Sequence, residues 1–340
     1  MAEARTRSWF ESVPKVELHV HLEGAIPLGA LFELVKKYGG DPQTPNMQAL
    51  VGRFRYRDFA TFIDTWAWKN QFLREYDDFT HIAEAFARGL ARQNIRYAEA
   101  SFSPADFARF KLEPARLAEA IRAGLKRVSG VDVRLIVDLV RDSTPDDAMA
   151  TLQQAYDARE LDIVGVGLGG SEQSCPAAPF APVFTEARRM GFHTTAHAGE
   201  AAGADSIWSA LNDLKVERIG HGTRAIDDEA LLRTLEERKI PLEVCPTSNL
   251  RTALVPSIEE HPLRQFIARG LTVTINTDDP SMFGCTLAGE LAMLETRLGL
   301  SRQQTRALIL SGIAASFMTD KEKHHRVLEF TTDPAWTANL

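Results

Sequence analysis

The chain alternates between two hydrophobic patterns along almost its whole length. Short apolar runs rich in β-branched residues are typical of buried strands, and they are separated by segments with apolar residues at helical spacing. The strand pattern occurs at residues 16–22, 95–102, 131–140, 162–168, 192–198, 216–222, 240–246 and 271–277. The helical pattern occurs at residues 75–94, 114–128, 144–160, 205–214, 227–239 and 261–270.

This alternation predicts parallel strands that are joined by right-handed helical crossovers. Eight such units favour an α/β fold of the closed (β/α)8 TIM-barrel type, with an open, doubly wound sheet as the alternative. A barrel carries its chemistry at the carboxyl ends of the strands, where the loops that follow them gather. We therefore expect one domain over residues 1–340, with its site at that end of the barrel.

One connection is much longer than the others. About seventy residues separate the first two predicted strands, and they include an aromatic stretch at residues 59–72. We interpret about residues 25–94 as a helical insertion over the mouth of the barrel. Its aromatic side chains are expected mainly to pack together, although some of them could form a wall for a flat ligand.

Composition narrows the class of protein. Hydrophobic residues make up 44% and charged residues 25% of the chain, which are ordinary globular values. The net charge of −7 argues against a nucleic-acid partner, because duplex binding depends on cationic contacts to phosphate. Neither a membrane-length apolar run nor a signal-peptide core is present, and three cysteines without CxxC spacing fit reduced thiols. We expect a cytoplasmic protein without a membrane partner.

Unusual polar residues cluster where the predicted strands end. The first strand belongs to "VELHVHLEG" (16–24), in which valine and leucine take one face and the histidines take the other. An exposed face of an antiparallel sheet would also be polar, but it would not gather polar residues at the ends of separate strands. The residues at strand ends are His19, His21, His197, Glu200, His221, Asp278 and Asp279.

The residue types at these ends suit a metal site. His19 and His21 are two positions apart on one strand face, so both imidazoles can reach one ion, and His197 and Asp278 can complete the set from across the mouth. Three histidines and a carboxylate with one open position make a catalytic arrangement, and the mix favours zinc, although other divalent metals also bind imidazole. We expect one zinc ion per subunit. Asp279 is then free to face water or substrate, because successive residues near a strand end point apart, although both aspartates could also serve as a helix N-cap or turn before Pro280.

Other patterns carry less weight. "GVGLGG" (165–170) matches the dinucleotide-binding pattern but is not followed by a helix, so we interpret it as a turn that lets backbone amides approach a ligand. The motifs of cytosine-type zinc deaminases and of serine hydrolases are absent from the sequence. Glu17 is interpreted as a buried, hydrogen-bonded carboxylate and His193 as a barrel-layer residue. The histidines interpreted as having no connection with the site are His81, His261, His324 and His325.

Five motifs together resemble the adenosine deaminase family of the amidohydrolase superfamily. They are "PKVELHVHLEG", "HAGE", "ERIGHGT", "CPTSN" and "NTDDP", in that order across nearly the whole chain. The resemblance implies zinc-dependent hydrolysis of a 6-aminopurine to the 6-oxopurine and ammonia. The metal ligands that it implies are His19, His21, His197 and Asp278.

The same resemblance implies roles for the remaining site residues. Glu200 would protonate purine N1, and His221 would lie beside the attacking hydroxide. Asp279 would meet N7, which requires a raised pKa because N7 is an acceptor, and the Gly170 amide would meet N3. The family's adenosine enzymes have "HLDG", with an aspartate that reaches the ribose, whereas this chain has Glu23 in that place.

The glutamate at position 23 bears on the substrate. It resembles the residue in enzymes that act on adenine or on 5′-modified adenine nucleosides such as aminodeoxyfutalosine. We expect a nucleoside, including 5′-modified ones, ahead of free adenine, and we expect AMP less because no phosphate-binding motif is evident. Another barrel amidohydrolase and a non-catalytic binding protein are the remaining alternatives, and the latter would be expected to lack Glu200 or a metal ligand.

Overall fold

The computed structural model describes residues 7–338. In this part of the chain eight strands, all parallel, form one sheet in sequence order, as predicted. Each predicted strand is present, although several are shorter than their apolar runs. The strands are β1 (Lys15–His21), β2 (Ile95–Phe102), β3 (Asp132–Asp138), β4 (Ile163–Gly167), β5 (His193–Ala198), β6 (Arg218–His221), β7 (Leu242–Val244) and β8 (Val273–Ile275).

The first and last strands meet at their carboxyl ends and make the sheet a barrel. Val20 and Asp278 form a parallel bridge. The backbone N–H of His21 donates to the Asp278 carbonyl at 2.9 Å, and the N–H of Asp278 donates to the His19 carbonyl at 3.0 Å. This closure excludes the open, doubly wound sheet. It also brings the chain on either side of residue 278 against the histidines of β1.

Helices follow the strands and surround the barrel. Within residues 7–338, no helix is both long enough and apolar enough to cross a membrane. The helices before β2 are α1 (Trp9–Ser12), α2 (Leu28–Lys37), α3 (Met47–Arg53), α4 (Phe59–Asn70) and α5 (Tyr76–Arg92). Those between β2 and β6 are α6 (Pro114–Leu125), α7 (Pro145–Asp157), α8 (Ala181–Arg189) and α9 (Ala204–Ser209), which continues as a π-helical turn (Ala210–Leu214).

The later helices complete the chain. They are α10 (Glu229–Arg238), α11 (Pro246–Arg251), α12 (Leu263–Arg269), α13 (Pro280–Phe283), α14 (Leu287–Leu298), α15 (Arg302–Ala315), α16 (Asp320–Thr332) and α17 (Pro334–Thr337). Their ends follow local sequence signals. Thr144 and Asp147 form a capping box at the start of α7, and Gly270 ends α12 in the left-handed conformation.

The long connection between β1 and β2 contains the four helices α2 to α5, and α5 is placed differently from the other three. The Thr80 hydroxyl of α5 donates to the Ala120 carbonyl of α6 at 2.9 Å, so α5 stands in the outer ring beside α6. The helices α2 to α4 precede α5 in this connection, and the interpretation of about residues 25–94 as an insertion over the mouth stays a prediction. One face of α4 is turned to the barrel mouth, at the helical spacing expected of a single face. Its residues there are Phe59, Phe62, Ile63, Trp66, Ala67 and Asn70.

Buried charges inside the barrel, on the amino-terminal side of the site, are paired with one another. Arg218 lies 2.6 Å from a Glu99 oxygen and 2.5 Å from a Glu243 oxygen, and the Tyr97 hydroxyl donates to Glu99 at 2.7 Å. Pairing is needed because an isolated charge is costly to bury. These residues form a polar layer on which the site rests.

His193 does not belong to this layer, contrary to the sequence-based interpretation. It is the first residue of β5, and its side chain is 42% exposed at the amino end of the barrel. Its ring stacks on Phe317 with centroids 4.4 Å apart, and its Nδ1 lies 2.9 Å from Glu217. Residue parity alone gave the correct face of the strand but not the depth of the residue in the barrel.

Candidate active site

Four histidines and an aspartate converge at the carboxyl ends of β1, β5, β6 and β8. The ring centroid of His19 lies 4.6 Å from that of His197, 4.9 Å from that of His221 and 5.5 Å from that of His21. The Nε2 atoms of His19 and His21 lie 3.3 and 3.4 Å from Oδ1 of Asp278. The structure thus brings together the residues that the sequence predicted as metal ligands, with His221 beside them.

The donor set fits a metal ion. Nε2 of His19 and Oδ1 of Asp278 are buried and have no hydrogen-bond partner in the described part of the chain, which is costly for polar atoms. One ligand atom from each of His19, His21 and His197 can be chosen so that all lie within 4.8 Å of one another. Two ligands of one zinc ion, each at about 2.0–2.1 Å, lie roughly 3.3 Å apart, which matches the spacing to Asp278. The residues present therefore fit zinc.

Cys245 lies near this group but is a poor ligand. Its sulfur, with one atom each from His19 and His221, forms another group within 4.8 Å. A metal requires the thiolate, whereas burial and then the charge of Asp278 raise the Cys245 pKa well above its usual range. The thiol instead donates to the Glu243 carbonyl at 3.5 Å.

Neighbouring side chains orient the predicted ligands. Glu243 lies 2.8 Å from Nδ1 of His19. Although burial alone would raise the Glu243 pKa, Arg218 and His19 hold it at about 2, so Glu243 is an ionised acceptor. The proton of His19 is then on Nδ1, which leaves Nε2 free for a metal. The Ser248 hydroxyl donates to Oδ2 of Asp278 at 2.7 Å and fixes that carboxylate as well.

Backbone strain also marks the site. His221 and Asp278 have φ values of 61° and 64°, in the left-handed region that residues other than glycine rarely adopt. Such a conformation costs about 1–3 kcal/mol and persists where the surrounding structure fixes it, often at functional sites. His221 is the last residue of β6 and Asp278 lies three residues after β8, so each left-handed residue helps set the direction in which the chain leaves the barrel.

Glu200 is buried between two of the histidines. Its Oε2 lies 3.5 Å from Nδ1 of His197 and 3.6 Å from Nε2 of His221. Burial raises the pKa of the Glu200 carboxyl. A carboxyl group with a raised pKa can hold a proton near neutral pH and deliver it to a ligand in the adjoining cavity.

Glu172 holds the loop that carries Glu200. Its carboxylate accepts hydrogen bonds from the four backbone N–H groups of residues 199–202, at 2.6 to 3.1 Å. Arg141 supports the same loop, because its guanidinium donates to the His197 carbonyl at 2.7 Å. Neither residue was singled out from the sequence. Glu172 lies two residues after the glycine turn, and its role is seen only in the structure, from these four hydrogen bonds and its nearly complete burial.

Asp279 faces the cavity from beside Asp278. A Cβ atom on Gly24 would lie 1.6 Å from Oδ1 of Asp279, so only glycine at position 24 leaves room for this side chain. Burial and then the charge of Asp278 raise the Asp279 pKa well above its usual range. The hydrogen bond predicted between Asp279 and purine N7 requires a pKa that is raised in this way. Gly170, at φ 95°, lines the same cavity.

A cavity of about 300 Å³ opens over these residues, at the lower end of the range for small-molecule sites. We call its inner part the metal end; the cavity lining there is His21, His197, Glu200, Asp278 and Asp279. We call the remaining lining from α4 and the loops after β2 and β3 the outer wall. It consists of Phe59, Phe62, Ile63, Trp66, Ala67, Asn70, Ser103, Asp106, Arg109, Asp138, Val140 and Asp142.

The aromatic residues of α4 divide between lining and packing. Phe62 and Trp66 line the cavity, and the Trp66 ring meets His21 edge-on with centroids 5.9 Å apart. Trp68 faces away, where its Nε1 donates to Asp41 at 2.7 Å and its ring meets Phe72 at 5.4 Å. The aromatic residues of this stretch thus both pack together and line the cavity, and a wall for a flat ligand stays a prediction.

Glu23 is not brought to the cavity lining. It is fully buried behind the outer wall, where one carboxylate oxygen accepts a hydrogen bond from the backbone N–H of Ser103 at 3.0 Å. The chain turns after Leu22, and the side chain runs toward the loop after β2. Glu23 thus ties the first two strand ends together. Glu17 accepts hydrogen bonds from the Thr277 backbone and hydroxyl, as its interpretation as a buried carboxylate requires.

His261 is connected with the site, contrary to its interpretation from the sequence. Its Nε2 lies 3.2 Å from Oδ1 of Asn249, and Nδ2 of Asn249 lies 3.2 Å from Nδ1 of His221. Asn249 belongs to the "CPTSN" motif, but His261 lies in the segment before α12, so no local pattern relates it to β6.

Comparisons with known proteins give matches in sequence and in fold. The model of the family described as adenosine deaminase matches residues 14–331. The aminodeoxyfutalosine deaminase of Streptomyces coelicolor is 36% identical, over 98% of this chain and 87% of that protein. The crystal structure of an adenine deaminase from Arthrobacter aurescens has a TM-score of 0.87 at 31% identity, over 94% of this chain and 98% of that one. A Zn-bound amidohydrolase from Burkholderia ambifaria also has a TM-score of 0.87, at 27% identity over 97% and 94% of the two chains.

Proposed function

Because the chain belongs to the adenosine deaminase family, we propose that it catalyses the zinc-dependent hydrolytic deamination of a 6-aminopurine nucleoside. The products are the 6-oxopurine nucleoside and ammonia. The proposed substrates are adenosine or a 5′-modified adenosine such as aminodeoxyfutalosine, and the only partner required is this small molecule. The observation that carries the proposal is the group of buried histidines with Asp278, which adjoins a cavity that also exposes Glu200 and Asp279.

One zinc ion per subunit would be held by His19, His21, His197 and Asp278. A zinc ion bound there would lower the pKa of a water molecule toward neutrality, so that a nucleophile is available at physiological pH. Glu243 and Ser248 keep two of these ligands in the orientation that the ion needs.

The other residues of the metal end bind and protonate the purine. Glu200 donates its proton to N1, so that negative charge does not accumulate on the ring while C6 becomes tetrahedral. Asp279, whose pKa is raised by burial and then by the charge of Asp278, would donate a hydrogen bond from its carboxyl group to N7, and the Gly170 amide would donate one to N3. His221 lies beside the oxygen that adds to C6. When the C6–N bond breaks, ammonia leaves and the oxygen remains on the purine.

The outer wall supports a nucleoside as the substrate. Ser103, Asp106 and Asp138 line it and offer hydroxyl and carboxylate oxygens to the hydroxyl groups of a sugar. Three aspartates line this wall together with one guanidinium, that of Arg109, and this excess of negative charge makes the wall unfavourable for a phosphate. A nucleoside therefore fits the chemistry of the wall better than AMP does.

Free adenine is the alternative substrate. The Arthrobacter aurescens structure, with a TM-score of 0.87, is that of an adenine deaminase, and this similarity favours the alternative. Adenine would make the same contacts at the metal end, but it would leave the polar groups of the outer wall in water. The difference between the two substrates thus lies entirely at the outer wall.

Ammonia release from a panel of purines tests the proposal. The zinc-loaded protein is incubated with adenosine, deoxyadenosine, 5′-modified adenosines, adenine and AMP, and the metal-free protein serves as the control. We expect the largest kcat/KM for a nucleoside. Release from adenine alone would favour the alternative, and no release from any member of the panel would contradict the proposed activity.

A further inference from the structure

A chain of buried hydrogen bonds runs from the start of α12 to His221. The backbone N–H of Leu263 donates to Nδ1 of His261 at 3.1 Å. Nε2 of His261 lies 3.2 Å from Oδ1 of Asn249, and Nδ2 of Asn249 lies 3.2 Å from Nδ1 of His221. His261 is 2% exposed, and Asn249 and His221 are fully buried. The first donor, the Leu263 N–H group, determines the direction of every hydrogen bond in this series.

The first bond fixes the tautomer of His261. A backbone N–H can only donate, so Nδ1 of His261 must be the unprotonated nitrogen of the ring. The proton is then on Nε2, which donates to Asn249. Burial lowers the His261 pKa to about 4, so the ring is neutral near pH 7, in agreement with this reasoning.

The second bond fixes the orientation of the Asn249 amide. Because Nε2 of His261 donates, the atom of Asn249 that faces it must be the carbonyl oxygen. The NH₂ group therefore points to His221 and donates to Nδ1 of that ring. The reverse orientation would place two donors against each other at His261.

The backbone of Asn249 is fixed by hydrogen bonds, and its side chain is fully buried. Its helix, α11, directly follows β7, and the Asn249 backbone N–H donates to the Cys245 carbonyl at 3.1 Å. The backbone carbonyl of Asn249 accepts hydrogen bonds from the backbone N–H groups of Leu254 and Val255, both at 3.0 Å. These bonds fix the backbone from which the side-chain amide extends, and the amide itself lies between the buried rings of His261 and His221.

We propose that His261 is a positioning residue that acts through Asn249 to hold His221 as the tautomer with its proton on Nε2. Nε2 of His221 lies 3.6 Å from an oxygen of Glu200 and 3.9 Å from one of Asp278, without a hydrogen-bond partner in residues 7–338. His221 thus presents a donor rather than a lone pair to the reacting centre. The part of this inference that concerns the reaction rests on the proposed function. In that reaction Nε2 of His221 donates a hydrogen bond to the oxygen that adds to C6. Because Nε2 already carries a proton in this tautomer, it cannot accept one from that oxygen.

Nuclear magnetic resonance of the zinc-loaded protein with ¹⁵N-labelled histidine tests the tautomer directly. Ring correlations show whether Nδ1 of His221 carries a proton, and the His221 signals are identified by their absence from a His221→Asn variant. We expect no proton on Nδ1 in the wild type. In Asn249→Asp, which has nearly the same shape but can only accept when ionised, we expect a proton on Nδ1.

Two substitutions of His261 separate positioning from packing. His261→Gln keeps an N–H donor near the place of Nε2, whereas His261→Leu removes it. With the substrate that the panel identifies, we expect His261→Leu to lower kcat about tenfold, the effect of losing one hydrogen bond, with KM within about twofold of the wild type. His261→Gln should restore kcat to within about twofold. His261→Leu should also show partial protonation of Nδ1 of His221.

Clear results would overturn the proposal. A proton on Nδ1 of His221 in the wild type would contradict it, as would a His261→Leu variant with an unprotonated Nδ1 and an unchanged kcat. If His261→Leu does not fold, Asn249→Asp decides the question, and an unprotonated Nδ1 there counts against the proposal. Because the tautomer is measured without turnover, a failure of the proposed function and a failure of this inference are distinguishable.

Discussion

The two ends of the cavity are built in different ways. The metal end is formed by residues at or just after barrel strands, and short contacts such as His19 to Glu243 at 2.8 Å hold them. The outer wall comes from α4 and from the loops after β2 and β3, and it includes the exposed residues Arg109 and Asp142. One end is built on strand ends and is mostly buried, whereas the other is made largely from connecting segments and includes exposed residues.

This difference separates chemistry from specificity. Residues on barrel strands are held at fixed distances, which suits metal binding and proton transfer, whereas loops and insertions can change without disturbing the barrel. We therefore expect substitutions at the metal end to lower the rate for every substrate. Substitutions in the outer wall should change the choice among substrates.

Removal of the metal should have the largest effect. A chelator is expected to reduce ammonia release below detection for every substrate, because the nucleophile depends on the ion. The melting temperature should fall as well, since a ligand that binds only the folded state stabilises it. Adding zinc back is the control and should restore both. Full activity in protein shown by metal analysis to be metal-free would contradict the account of the metal end.

Substitution of Asp279 tests its proton. Asp279→Ala removes the donor to N7 and should lower kcat/KM by about 10²–10³ for all substrates, as loss of a preorganised donor does in other enzymes. Asp279→Asn keeps an N–H donor and is expected to retain more activity than the alanine variant. Equal losses in the two variants, measured by ammonia release, would show that Asp279 does not act as a donor.

Trp66 is the outer-wall residue expected to matter most for binding. Trp66→Ala removes a ring that faces the cavity and should raise KM for nucleosides about tenfold with little change in kcat. Trp66→Phe keeps an aromatic face but loses the 2.7 Å hydrogen bond to Asp106, and it should have a smaller effect. A loss that is confined to kcat would place Trp66 in the chemistry of the metal end instead.

Arg109 should have the smallest and most selective effect. It is exposed at the rim, where a single charge contributes at most about 1 kcal/mol. Arg109→Ala should therefore change kcat/KM by less than about fivefold, and only for substrates with an anionic group at the far end. Arg109→Lys is the matched control that keeps the charge. An equal loss of kcat/KM for all substrates, including adenine, would contradict the assignment of Arg109 to substrate choice.

The sequence predicted the metal end much better than the outer wall, and the reason is physical. The alternation along a strand places His19 and His21 on one face, and the barrel rule brings separate strand ends together. Both signals are local or topological, so His197 and Asp278 follow from them without knowledge of any contact. The structure then places all four residues around one point.

The supporting residues needed information that no local pattern carries. Glu243 contacts His19 across 224 positions of the chain, and His261 reaches His221 only through Asn249. Such partners are decided by how the loops pack after the barrel has closed. Glu23 illustrates the same limit, because its motif places it beside the site, whereas packing against the loop after β2 turns its side chain behind the wall.

The central claim is that the metal end holds the ion and the proton donor in separate residues. Glu200→Gln tests it most directly, when zinc content and ammonia release are measured on the same preparation. Glutamine has nearly the same shape but no acidic proton, so we expect the zinc content of the wild type, about one ion per subunit, and a loss of turnover of about 10²–10⁴-fold or more. Turnover close to that of the wild type, or loss of the zinc, would contradict the account.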